Sequence, residues 1–495
     1  MFTETWRRRW GLKQAPFAHE DADRDPLLDR VDSWAVHRSY ERLLGSDGEP
    51  ASAVIFGERG SGKSALRRSV VRGLNASGKS FTVEITDVDP WLEIFQSRRG
   101  NNESGPRNFG DLNRVDLIDL MLSAGLMRLS EVLGKDPQRL NKLGASERAE
   151  LILLVAAYHV DLEGDREERV RSLLAARCGR LWLLVRGGLG LVGTTMCLAP
   201  LLQLQGWWPL KSSIVLSIAV VGAVLLGSLV MHAVWRSVLA RHMARRIIRS
   251  MSITRPDRAL LHKALVTLPR SSAPQFLRGA ESAEEGRYRL LRRVIQLVRR
   301  MEWSGLVLLV DRIDESTLLE ARADSMGSFI DPVLEHKLLQ LDGFGLKLFL
   351  PVELTPMVRG AGPDRLRRMR LDKAALVDEI RWSGQELLEL ADRRLAAASN
   401  GPSASVGDLL SDDLDLIEMR DALHGLGTPR MAFAFLRDLF EDHARELPDD
   451  LPRDSPEWCV GRASFERQRA AWSDRARVLR RMLRRTSVDC GVPGS

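Results

Sequence analysis

Residues Gly57-Glu58-Arg59-Gly60-Ser61-Gly62-Lys63-Ser64 satisfy the pattern G-x-x-x-x-G-K-[ST] at every fixed position. Glycines at this spacing let the backbone curl, so that successive N–H groups point inward at phosphate oxygens. The lysine then reaches the β- and γ-phosphates, and the serine hydroxyl is placed for Mg²⁺. A helix that follows such a loop begins with unpaired N–H groups and the positive end of its dipole, which also favour an anion. The expectation is that Gly57 to Ser64 hold the phosphates of ATP, with Ser64 a ligand of Mg²⁺.

A second chemical segment lies about 250 residues further on. The aliphatic run Leu306-Val307-Leu308-Leu309-Val310 ends in Asp311-Arg312-Ile313-Asp314-Glu315. A phosphate site of this kind needs one carboxylate near Mg²⁺ and one acid to orient the attacking water. In an open α/β sheet ligands bind at the carboxyl ends of the strands, which is where Asp311 falls. Asp311 is therefore assigned to Mg²⁺. Asp314 and Glu315 are the candidates for activating water, with Glu315 favoured.

The elements that must position these groups can be read around them. Ala53-Val54-Ile55-Phe56 is a short apolar run before a Gly-rich stretch, as in a buried parallel strand. Ser64 to Leu74 reads as a helix with basic exposed positions, and Phe81 to Ile85 as a second strand. Leu306–Val310 and Leu346–Leu350 are two more. A helix is expected within Asp32–Leu44, helical patterns fill Leu112–Ala175, and amphipathic helices close the chain. Glu353 and Thr355, just past the last strand, are candidates for a polar sensor. Among Arg365, Arg367, Arg368 and Arg370 one could act on a neighbouring subunit. Thr428-Pro429-Arg430 opens an amphipathic helix, with Thr428 the cap and Pro429 the first position. Arg430 is a candidate for reaching the γ-phosphate.

A strand–helix–strand unit needs only ~30 residues, so the gap between Lys63 and Asp311 holds a large insertion. Its middle is the most apolar part of the chain. Leu181–Leu204 and Ser213–Trp235 are each long enough to cross ~30 Å of hydrocarbon at about 1.5 Å per residue. Arg186 in the first could snorkel to the interface. Trp182 and Trp235 suit one membrane interface, and Trp207 and Trp208 the other. Gly187, Gly188, Gly190 and Gly193 with Gly222 and Gly227 are spaced for close helix packing. From Arg169 to Arg249 there is no acidic residue, and arginines crowd both outer flanks, whereas the short loop Gln205–Ser212 has Lys211 alone. The positive-inside rule then puts both flanks, and both chain ends, in the cytoplasm of a multi-pass protein of the inner membrane.

The whole chain of 495 residues carries a formal charge of +7 and a pI near 9.5. The arginines beside the apolar pair explain that excess, so membrane topology accounts for it and nucleic acid is not indicated. A mean hydropathy of −0.16 marks the remainder as water-soluble, and 44% hydrophobic residues exclude a disordered chain. Cys178, Cys197, Cys459 and Cys490 have neither metal-ligand spacing nor a disulfide framework. Met1 to Leu12 has arginines but no apolar stretch, unlike a secretory signal. The expected organisation is an N-terminal segment (1–50), the first part of a P-loop domain (51–180), a transmembrane hairpin (181–236), its second part (237–395), and a helical lid and C-terminal region (396–495).

The acidic segment resembles that of NACHT-type STAND ATPases. It differs from AAA+ proteins, in which Glu directly follows the first Asp; Arg312 stands there instead. Membrane helices placed between phosphate loop and acidic strand resemble the KAP family, whose motif begins with two Asp residues, so the match is one of arrangement. Trp10-Gly11-Leu12-Lys13-Gln14-Ala15-Pro16-Phe17 is similar to the opening of bacterial secretion-type AAA ATPases. These resemblances imply an α/β P-loop core, ATP and Mg²⁺ as ligands, a homo-oligomer or protein partner, and a signalling or defence switch at the membrane. The alternative is an AAA+-like mechanical ATPase that remodels protein or nucleic acid there.

Overall fold

The computed structural model describes residues 4–19, 22–28, 37–45, 49–97, 108–159, 188–198, 212–251, 253–267, 284–320, 322–334, 337–359, 379–399, 404–448, 450–452 and 454–488. It parts into two compact units, Met1–Val88 with Trp303–Ser495, and Asp89–Glu302.

The first unit is built on a four-stranded parallel sheet. Its strands are β1 (Ala53–Gly57), β2 (Phe81–Ile85), β3 (Leu306–Val310) and β4 (Phe344–Pro351), in spatial order β1-β4-β3-β2. β1, β3 and β4 are buried at every position, which is why each reads as an unbroken apolar run. Lys347 is the exception in β4. Its ammonium is held inside by the Ala51 carbonyl at 2.7 Å, and burial lowers its pKa to about 8.

The helix Lys63–Ser77 follows β1, and helices Gly384–Ala398, Leu416–Leu426, Pro429–Glu446 and Arg462–Val488 come after the sheet. Thr428 caps the Pro429 helix by accepting the Met431 N–H at 3.4 Å. Arg67 departs from the basic exposed positions expected of the Lys63 helix: it is 3% exposed. Three carboxylates from elsewhere in the chain close over it. Of the expected helix within Asp32–Leu44, Ser39–Leu44 is helical and the stretch 29–36 lies outside the described residues.

The second unit is helical. Arg114–Lys135, Ala145–Tyr158, Arg258–Thr267 and Glu284–Arg300 form its core. Inside it the Arg287 guanidinium donates to Asp119 at 2.7 Å and to the Ser250 carbonyl at 2.5 Å, and the Tyr158 hydroxyl donates to Asp119 at 2.8 Å. A buried cation with this many acceptors fixes how three helices and the end of a fourth meet.

That fourth helix, Ser212–Ser250, includes the stretch Ile214–Ser250, which is long and apolar enough to cross a membrane. Its far end joins the unit through Ala240, Ala244 and Ile247, all buried. Its apolar half does not: Leu216, Val224 and Met231 are 64–68% exposed. Of the first expected span, Gly188–Leu198 is helical and the remainder lies outside the described residues. Gly193 and Gly222 bring these two helices together, since a Cβ on Gly222 would sit 2.7 Å from the Met196 Cβ and 2.9 Å from the Gly193 carbonyl oxygen.

Candidate functional site

β1 ends at Gly57, where the chain turns through the glycine-rich loop into the Lys63 helix. The turn requires glycine at two positions: Gly60 has φ +84° and Gly62 φ +91°, a region that side chains with a Cβ rarely adopt. Lys63 folds back so that its Nζ donates to the Gly57 carbonyl at 2.7 Å and the Glu58 carbonyl at 3.2 Å. Burial lowers the Lys63 pKa, opposed by the charges of Asp314, Asp311 and Glu353. Ser61 Oγ is buried with no hydrogen-bond partner.

Asp311 follows β3 and is 1% exposed, its N–H bonded to the Ile85 carbonyl of β2 at 3.0 Å. Its Oδ2 accepts from Arg67 Nε at 3.1 Å, while Oδ1 is buried with no hydrogen-bond partner. Burial pushes this carboxyl up. Arg67, the Ser64 hydroxyl and the Arg312 N–H pull it down. Arg67 also pairs with Asp23 at 2.9 Å and with Glu84. Arg312 sits in left-handed backbone, φ 62°, and reaches Asp23 at 2.5 Å and Glu315 at 3.5 Å.

These groups surround a cavity of about 420 Å³. Glu58, Arg59, Gly60, Gly62, Lys63 and Ser64 form one wall, and Asp311, Asp314 and Glu315 another. Gly57 and Ser61 belong to the loop without lining the cavity. Arg430 closes a third side, with its N–H 3.4 Å from the Gly60 carbonyl. Glu353 is near enough to act on the charge of Lys63, whereas Thr355 Oγ1 is buried without a hydrogen-bond partner and away from the cavity. Arg365, Arg367, Arg368 and Arg370 lie outside the described residues.

The remaining wall was not read from the sequence. Phe17, Ala22 and Leu28 come from the N-terminal segment, and Phe433 and Ala434 from the Pro429 helix. Arg394 ties these together: it pairs with Asp25 at 2.6 Å, donates to the Pro16 carbonyl at 2.8 Å, and lies over the Phe433 ring at 4.7 Å. The one available signal was the pairing of apolar residues with Asp23 and Asp25 ahead of β1, which gives no partner.

The donor set fits a phosphate chain with a hard divalent cation. Such a cation takes few protein ligands when phosphates supply the rest; here the Ser64 hydroxyl and Asp311 Oδ1, buried without a hydrogen bond, would be the ones to hold it. Among the described residues no cluster of His, Cys, Asp and Glu could hold a metal by itself. No protein-family model, curated protein or solved structure matches this chain.

Proposed function

We propose that this chain is a membrane-anchored ATPase of the P-loop kind, a nucleotide-dependent switch on the cytoplasmic face, in line with its resemblance to STAND and KAP proteins. The observation that carries this reading is the meeting of Lys63 and Ser64 with Asp311, about 250 residues further along the chain, at one cavity where the buried Asp311 Oδ1 is left unpartnered. In it Lys63 and the loop N–H groups bind the β- and γ-phosphates, and Ser64 and Asp311 hold Mg²⁺. When bound, the cation neutralises charge developing on the transferred phosphoryl group. Glu315, or its neighbour Asp314, orients the attacking water. Arg430 approaches the same phosphates from the Pro429 helix, so that nucleotide occupancy moves that helix relative to the loop. The apolar segments 181–204 and 213–235 form a two-helix hairpin that keeps the site at the membrane.

Calorimetry on the full chain in detergent tests the reading. Lys63→Ala removes the buried cation of the loop. ATP affinity is expected to fall by at least about tenfold, the size of one lost charged hydrogen bond. Affinity equal to wild type, or no ATP binding by the wild type, rules the proposal out.

A further inference from the structure

We infer that Trp382 is a positioning residue for the glycine-rich loop: by holding the Ser61 carbonyl, its indole N–H fixes the Ser61–Gly62 peptide with the Gly62 N–H turned towards the phosphates. The inference rests on the ATP-binding reading and adds to it a residue more than 300 positions away in the chain.

The geometry begins with Trp382 Nε1, which donates to the Ser61 oxygen over 2.9 Å in a buried setting. Indole can only donate and the carbonyl can only accept, so the direction of this bond is fixed. A trans peptide is planar, and its C=O and N–H point opposite ways. Anchoring the Ser61 oxygen on Trp382 therefore sends the Gly62 N–H to the other side. Gly62 lines the cavity and Trp382 does not.

This peptide needs an external hold. Gly60 and Gly62 flank Ser61, both at positive φ, and glycine crosses between φ regions with little steric resistance. Left alone, the Ser61–Gly62 unit can turn over and present a carbonyl to the anion. Ser61 Oγ makes no hydrogen bond that would prevent it.

The indole is itself held rigidly. The Ile380 N–H donates to the Phe56 carbonyl of β1 at 2.8 Å, pinning the segment just before Trp382 to the strand that leads into the loop. The His37 ring meets the indole edge-on at 4.7 Å. His37 Nδ1 accepts the Ser39 N–H at 3.2 Å, so Nε2 carries the proton and donates to the Arg381 carbonyl at 3.3 Å. Burial lowers the His37 pKa, against the raising effect of Glu386 and the Arg381 carbonyl.

The test removes the N–H. In the full chain, Trp382→Phe keeps an aromatic ring, and 3-benzothienylalanine at position 382 keeps the bicyclic shape with sulfur in place of N–H. The second variant preserves packing if the first folds poorly. In both, KM for ATP is expected to rise about five- to tenfold, on the scale of one lost hydrogen bond, with kcat within about twofold and the melting temperature of the benzothienyl variant near wild type. That split marks loss of binding held equally in ground and transition states. Unchanged KM in the benzothienyl variant overturns the inference while leaving the ATPase reading intact. A raised KM accompanied by comparable losses of kcat and thermal stability in that variant overturns it too, by giving Trp382 a merely structural role. A wild-type chain that binds no ATP overturns both.

Discussion

Two neighbouring acids face the cavity in different circumstances. Glu315 is half-exposed and its carboxylate lies 3.5 Å from the Arg312 guanidinium, an orientation that an ion pair can hold. Asp314 is the strongest of the negative charges acting on Lys63, which couples it to the loop lysine. On the reading that Glu315 activates water, Glu315→Gln keeps ATP affinity and lowers turnover by about 10²-fold or more, the usual contribution of a general base. Single-turnover kinetics of both variants decide the matter: the same pattern in Asp314→Asn, with normal turnover in Glu315→Gln, moves the role to Asp314. At this scale the sequence yields residues whose chemistry is set by local spacing, such as Lys63 and Ser64. Arg67 escaped because its three carboxylates, Asp23, Glu84 and Asp311, come from distant places. Helical periodicity marks Arg67 as polar, but it says nothing about acids that fold over it. Trp382 escaped for the same reason, since its partner is a backbone carbonyl.

Elements were legible where burial imposes a pattern along the chain. β3 is found at Leu306–Val310, where its apolar run stands, and Thr428-Pro429 begin the helix that their capping chemistry announces. Segments outside helices and strands were not legible, among them Pro16–His19, Asp25–Leu28 and Glu379–Trp382, because their places depend on distant partners such as Arg394 and β1. Helix pairing falls between. Glycines between 187 and 227 announce a close approach, but only three-dimensional register says which of them meet. Gly193 and Gly222 do, whereas a Cβ on Gly188, Gly190 or Gly227 would touch nothing within 4 Å. Gly222→Leu is therefore expected to destabilise the pairing by about 1–3 kcal/mol, as overpacking does, and Gly227→Ala to leave it unchanged. Unfolding of the two variants in detergent compares them. Equal stability in both cases would mean that the contact at Gly222 contributes nothing.

For the whole molecule the constraint is topological. Met1–Val88 and Trp303–Ser495 fold as one unit, so both lie in one compartment, and a chain that left it between them would have to return. Any membrane crossing within Asp89–Glu302 therefore comes in an even number. The helix containing Ile214–Ser250 supplies one candidate. Gly188–Leu198 covers about half of a ~30 Å hydrocarbon layer at 1.5 Å per residue, so the second crossing requires the neighbouring apolar residues of 181–204 as well. Arginines on both flanks, with Lys211 alone in the connecting loop, give the same orientation independently. Hence Ser212 should lie on the outer face and Ser77, exposed at the end of the Lys63 helix, in the cytoplasm. Single cysteines at these two positions, in a chain whose four native cysteines are replaced, can be probed with an impermeant maleimide on intact cells. Labelling is expected at Ser212→Cys alone, and at Ser77→Cys only after permeabilisation. Protection of both in intact cells, together with recovery of the protein in the soluble fraction without detergent, would place the apolar half of Ser212–Ser250 against protein instead of lipid and remove the membrane from the reading.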